Sequence, residues 1–321
     1  VTELPTLAPG KARRLATTAT PEGIFTVLAI DHRDSLRVVL APDDPAAVSA
    51  AQLTELKLAL LRGLGERPSA VMLEPEFSAA QAIVAAALPG RVGFLAALEA
   101  QGYLGDPEAR QTSLLEGWSV AQAARLGASG VKLLVLYRPD SGAVAEGQEA
   151  VIAEVVADCA RHEVPLFLEP LLYARAGVAD DRRALVVETV RRLGALRPDV
   201  LKVQFPLDTV AVPDRAAWRD ACDELDAASP VPWALLSGGG SYERFRDQLQ
   251  VACHAGASGF MVGRALWGEY ATAPAGDRPG LLERLVRPRF DELSAIARTS
   301  GRDWRSGYRS PSVDECWYAG Y

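Results

Sequence analysis

Lysine is scarce in this chain. Of its 34 basic side chains only four are lysine (Lys11, Lys57, Lys132 and Lys202), and the rest are arginine. A basic excess is also missing: 41 acidic residues leave a net charge of −7, with the arginines scattered among the acids. That balance argues against a nucleic-acid partner, which would call for a basic face. No apolar run approaches about 18 residues, so no membrane span is expected. Residues 1–20 lack the hydrophobic core of a secretory signal. The four cysteines (Cys159, Cys222, Cys253, Cys316) lie far apart, which suits reduced thiols and a cytoplasmic location. The three histidines (His32, His162, His254) show no metal-ligand spacing, so no metal is expected. No Gly-rich dinucleotide fingerprint follows the first strand-like run, which disfavours an open doubly wound sheet. No cofactor is expected.

What is present is a mixed-charge chain with 49% apolar residues, enough for a packed globular core. No short repeat is visible. Instead, short apolar runs alternate with Ala/Leu/Arg-rich stretches of helical period. The strand-like runs are 24–30, 70–73, 92–98, 130–137, 164–168, 200–205, 232–236 and 258–262. Helices are expected near 48–64, 76–87, 112–126, 147–161, 182–195, 215–227, 241–255 and 280–298, with an N-terminal helix near 10–17. The strands read apolar on both faces, as parallel strands covered by helices should. Gly127 and Gly256 stand where left-handed helix caps belong, and Pro198 and Pro232 stand where helices cannot continue. Eight strand–helix units predict an α/β chain folded as a (β/α)8 TIM barrel. The expected organisation is one domain over 1–321, with a barrel core at about 21–298 and a tail at 299–321. The tail, with Trp304, Tyr308, Trp317 and Tyr318, is expected to pack on the barrel surface. Its aromatics also suit a homo-oligomer.

In this fold chemistry sits at the C-terminal ends of the strands. There the sequence offers Asp31-His32-Arg33, Glu74-Pro75-Glu76, Glu99, Lys132, Glu169, Lys202, Ser237-Gly238-Gly239-Gly240 and Gly263-Arg264. All eight strands are expected to deliver such a terminus to one rim. Lys132 and Lys202 interrupt apolar strands. An unpaired buried ammonium is very costly, so each must point to the barrel mouth, toward carboxylates. A lysine near a second cation can lose its proton and become a nucleophile, whereas arginine stays charged. Glu169 is a candidate acid/base, and Asp31 can hold a substrate hydroxyl or pair with Lys132. Glu74 and Glu99 read as charge partners, and His32 as a substrate contact or a cap. The backbone N–H groups of the loop 237–241, ahead of a helix, suit a phosphate with Arg264 beside it. Cys159, Cys222 and Cys253 read as helix packing residues.

Six segments in order then resemble the tagatose 1,6-bisphosphate aldolase family, which includes the sulfofructose-phosphate aldolases. They are 28–36 (around Asp31-His32-Arg33), 130–134, 167–170, 199–203, 236–240 and 263–267. The resemblance implies a metal-independent Schiff-base aldolase on a (β/α)8 barrel. It implies Lys202 as the Schiff-base lysine, Glu169 as the acid/base, Lys132 as a second active-site lysine and Asp31 as the first-strand aspartate. Ser237, Gly238, Gly263 and Arg264 match positions around the ketose 1-phosphate, with Gly239 between them. One departure stands out: His32 and Asp34 replace the Gln and Gly that often follow the first-strand aspartate. That change bears on the far end of the substrate, where Arg33 and His32 are candidate contacts for a phosphate, sulfonate or carboxylate. The expected partner is a small sugar phosphate. The alternatives are an aldolase of inositol breakdown acting on a phosphorylated sugar acid, and a non-catalytic sugar-phosphate sensor.

Overall fold

The computed structural model describes residues 4–309 and 313–321. Eight parallel strands close into a barrel in chain order. They are β1 (Phe25–Ala29), β2 (Ala70–Leu73), β3 (Gly93–Ala97), β4 (Gly130–Leu136), β5 (Leu166–Leu171), β6 (Val200–Val203), β7 (Trp233–Leu236) and β8 (Gly259–Val262). β1 pairs with β8, with Phe25 opposite Gly259, which closes the ring. The expected (β/α)8 barrel is therefore the observed fold.

The helices, in chain order, are α1 (Pro9–Thr18), α2 (Asp34–Leu40), α3 (Ala50–Leu64), α4 (Ala79–Val84), α5 (Val120–Leu126) and α6 (Ala143–Arg161). They continue with α7 (Arg182–Ala195), α8 (Arg215–Ala228), α9 (Tyr242–Ala255), α10 (Arg264–Thr272), α11 (Arg278–Leu281) and α12 (Arg287–Ser300). Local chemistry sets their ends. Ser49 and Gln52 form a reciprocal capping box on α3. Gly127, at φ 95°, ends α5 in the left-handed region. No helix among the described residues is long and apolar enough to cross a membrane.

Three expectations about elements need correction. The helix expected at 112–126 shrinks to α5, because residues 99–118 form a flap over the barrel mouth. The flap is tied by bridges between Glu99 and Leu114 and between Leu104 and Gln111. The fifth strand runs on to Leu171, so Glu169 and Pro170 lie within it rather than beyond its end. α2 and α10 were not anticipated; α10 begins at Arg264, where an open loop was expected.

Side chains alternate between two apolar layers, as a strand period of two requires. Leu28, Val71, Phe94, Val131, Leu168, Leu201, Leu235 and Phe260 face the helices. Val27, Met72, Leu95, Phe167, Val200, Ala234 and Met261 fill the barrel interior. Leu7, Leu15 and Trp304 join that interior cluster and close the floor of the barrel at the N-terminal ends of the strands. Lys11 pairs with Asp199 there at 2.8 Å, and the Tyr308 hydroxyl donates to the Asp199 carbonyl at 2.6 Å. The first part of the tail thus packs on the barrel as expected, while Tyr318 remains exposed. Cys159, Cys222 and Cys253 are buried on α6, α8 and α9.

Candidate active site

The alternation decides where the polar strand residues point. Val131 and Leu133 face the helices, so Lys132 faces the interior; Leu201 and Val203 do the same for Lys202, and Leu168 for Glu169. Asp31 and Glu99 follow β1 and β3 on the inward phase. All five side chains are buried and line a cavity of about 640 Å³ at the C-terminal mouth of the barrel.

The two lysines have different surroundings. Lys132 Nζ lies 2.6 Å from Glu99 Oε1, 2.8 Å from Asp31 Oδ2 and 3.1 Å from Glu169 Oε2. Burial alone would lower its pKa, but the three carboxylates outweigh burial and hold it well above the usual lysine range. Lys132 is a fixed ammonium. Lys202 Nζ meets a single carboxylate, Glu169 Oε2 at 2.8 Å, and the thioether of Met72 at 3.5 Å. Glu169 Oε2 thus stands between both amines, yet neither approach meets hydrogen-bond geometry. Burial pushes the Glu169 carboxyl up, and the charges of Lys132 and then Lys202 more than reverse this, so it stays ionised below its usual range. Asp31 follows the same logic: burial raises its pKa, while Lys132 and Lys202 carry it well below the usual range. Among the described residues no group of three or more His, Cys, Asp or Glu side chains could hold a metal ion. The converging carboxylates meet the Lys132 ammonium instead.

Around the mouth, the backbone of 237–239 forms a turn with Gly238 at φ 57° and Gly239 at φ 77°, both left-handed. A Cβ at Gly239 would sit 2.9 Å from Arg264 Nη2, so glycine lets the guanidinium lie against the turn. The N-terminus of α9 is capped by the Ser241 side chain. That cap takes only the Arg244 N–H, so the other N–H groups of the helix end stand with the turn and Arg264 as donors for an anion. The Gly263 N–H donates to Ser237 Oγ at 3.3 Å, linking the loops after β7 and β8.

His32 packs edge-on against Trp267 at 5.1 Å, and Gly263 leaves room for its ring. Burial lowers its pKa to about 4, so the ring is neutral near pH 7, and it caps no helix. Arg33 lines the cavity but is bound to Glu76 at 2.6 Å and to the Glu99 carbonyl at 2.9 Å. Its guanidinium positions the Glu99 segment.

Glu99 is the charge partner the sequence suggests: its Oε1 accepts from Lys132 Nζ at 2.6 Å, and its Oε2 also accepts from the Leu134 N–H at 3.0 Å. Its place directly after β3 was the available signal. Arg110, on the flap, also lines the cavity; no local pattern marked it. Conversely, Glu74 does not join the rim. Its carboxylate accepts from Lys57 Nζ of α3 at 2.7 Å, from Ser78 Oγ at 2.6 Å and from the Phe77 N–H at 3.0 Å, turned toward the helix layer.

Comparison with known proteins bears on the family and the fold. The model of the DeoC/LacD family aldolases matches residues 25–269. Tagatose 1,6-diphosphate aldolase 2 of Streptococcus mutans is 28% identical over 326 aligned positions, covering 93% of this chain and 97% of that protein. Tagatose 1,6-diphosphate aldolase of Streptococcus pneumoniae is also 28% identical, covering 92% and 97%. Among solved structures, an archaeal fructose 1,6-bisphosphate aldolase superposes with a TM-score of 0.62 at 21% identity, over 90% of this chain and 99% of that one, a likeness of fold. The chain belongs to the DeoC/LacD aldolase family and is a carbon–carbon lyase.

Proposed function

We propose that the protein cleaves a ketohexose 1-phosphate bearing a second anion at C6, through a Schiff base on Lys202. The observation that carries this reading is the unequal pairing of the two buried lysines. Lys132 is held by three carboxylates and Lys202 by one. Only Lys202 can give up a proton without stranding a cluster of buried negative charge.

Glu169 Oε2, 2.8 Å away, takes a proton from Lys202. The free amine attacks the C2 carbonyl, protonated Glu169 returns its proton to the departing hydroxyl, and loss of water leaves an iminium that acts as an electron sink. Glu169 removes the C4 hydroxyl proton, directly or through water, and the C3–C4 electrons move into the iminium. The aldehyde fragment leaves. The enamine is protonated at C3, and hydrolysis releases dihydroxyacetone phosphate and the amine. Lys132 keeps Asp31 and Glu169 ionised and in place. The turn at 237–239 and Arg264 receive the 1-phosphate.

The substrates that fit are tagatose or fructose 1,6-bisphosphate and 6-deoxy-6-sulfofructose 1-phosphate. The relatives named for tagatose 1,6-diphosphate favour the first pair. A coupled assay for dihydroxyacetone phosphate release tests the reading across all three sugars. Release from at least one, lost in Lys202→Met and resistant to a strong chelator, supports it. Sugar binding without release would instead favour a sensor.

A further inference from the structure

The cations lining the cavity fall into two groups. Arg33, Lys132 and Lys202 are each bound to carboxylates. Arg264 and Arg110 have no carboxylate partner among the described residues, and they come from different loops of the mouth. Arg264 follows β8 and leans on the loop after β7. Arg110 belongs to the flap after β3 and stacks on Tyr173 after β5; in the closed ring β8 lies three places from each of these strands. Lys202 and Lys132 line the same cavity.

We propose that Arg110 is the subsite for the distal anion of the substrate, an inference that rests on the aldolase reading above. The local architecture is that of an anion clamp. The Arg110 guanidinium lies 4.8 Å from the ring centre of Tyr103 and 5.4 Å from that of Tyr173. Its Nε donates to the Pro107 carbonyl at 2.9 Å, which fixes the plane of the group. Two aromatic rings stiffen the side chain and shed water from it. The terminal Nη groups keep their donors, and a planar fork matches two oxygens of a phosphate, sulfonate or carboxylate. Arg33, the obvious candidate in the sequence, is already taken by Glu76 and Glu99. A substrate with anions at both ends would span the cavity from Arg264 to Arg110 and lie over Lys202.

The test compares kcat/KM for a ketose 1,6-bisphosphate with that for the matching ketose 1-phosphate. The wild-type protein should prefer the bisphosphate by about 100-fold, the scale of a charge-assisted fork. Arg110→Met should bring that ratio close to one, and Arg110→Lys, which keeps charge but not the fork, should give an intermediate value. Borohydride trapping of dihydroxyacetone phosphate, which has no distal anion, reports separately on whether each variant retains a working lysine. A bisphosphate preference that survives in Arg110→Met overturns the subsite. Failure of the wild-type protein to form the trapped adduct overturns the aldolase reading itself.

Discussion

Replacing Lys132 with methionine removes the cation that three buried carboxylates share. In the wild-type protein the contacts are 2.6, 2.8 and 3.1 Å, around an ammonium only 2% exposed. At an effective dielectric constant of about 20, each contact near 3 Å amounts to about 5–6 kcal/mol of attraction. Desolvation of the ions and repulsion among the carboxylates offset much of this. Removing one partner of a buried cluster therefore costs about 3–5 kcal/mol. The pH dependence identifies the cause. In the wild-type protein Asp31 and Glu169 titrate below their unfolded values. Their contribution is thus full above about pH 4–5 and is lost as acid protonates them. Without Lys132 burial dominates and pushes these carboxyls up, so the variant's deficit should be largest at pH 7.5 and shrink toward pH 5. Urea unfolding of both proteins at the two pH values measures this. A variant as stable as wild type at pH 7.5, or a deficit that does not shrink in acid, refutes the argument.

Two further outcomes follow from the same structure. His32 has its pKa lowered to about 4, so the unfolded state takes up its proton first. Stability should fall by up to about 3 kcal/mol between pH 6.5 and 4, and His32→Gln should flatten that slope in urea titrations. Trp304→Ala opens the barrel floor and should cost about 3–5 kcal/mol by denaturant unfolding. Because Trp304 joins the floor cluster rather than the cavity lining, kcat measured on the folded variant should stay within about twofold of wild type.

The strands were legible because each is an apolar run bounded by turn residues. Once the barrel is set, period two alone places Asp31, Lys132, Glu169 and Lys202 inward. Lysine scarcity pointed the same way, and in the structure all four lysines sit in ion pairs. Lys11 holds the floor, and Lys57 is buried with Glu74 in the helix layer. What sequence could not supply was competition between partners. Nothing local shows that Arg33 is consumed by Glu76, or that Glu74 turns to Lys57 rather than to the rim. The flap escaped because residues 112–118 continue the apolar spacing of α5, while the bridges that hold them, such as Leu104 with Gln111, depend on tertiary folding. Glu169 was placed past the end of its strand because Pro170 reads as a terminator. In the structure Pro170 instead lies within β5, opposite Val135 of β4.

The most direct test of the central claim is the site of covalent attachment. Incubation with dihydroxyacetone phosphate, reduction with borohydride and peptide mass spectrometry should place a single adduct on Lys202, absent in Lys202→Met. An adduct on Lys132, or none on either lysine in an active preparation, would contradict the assignment of the nucleophile.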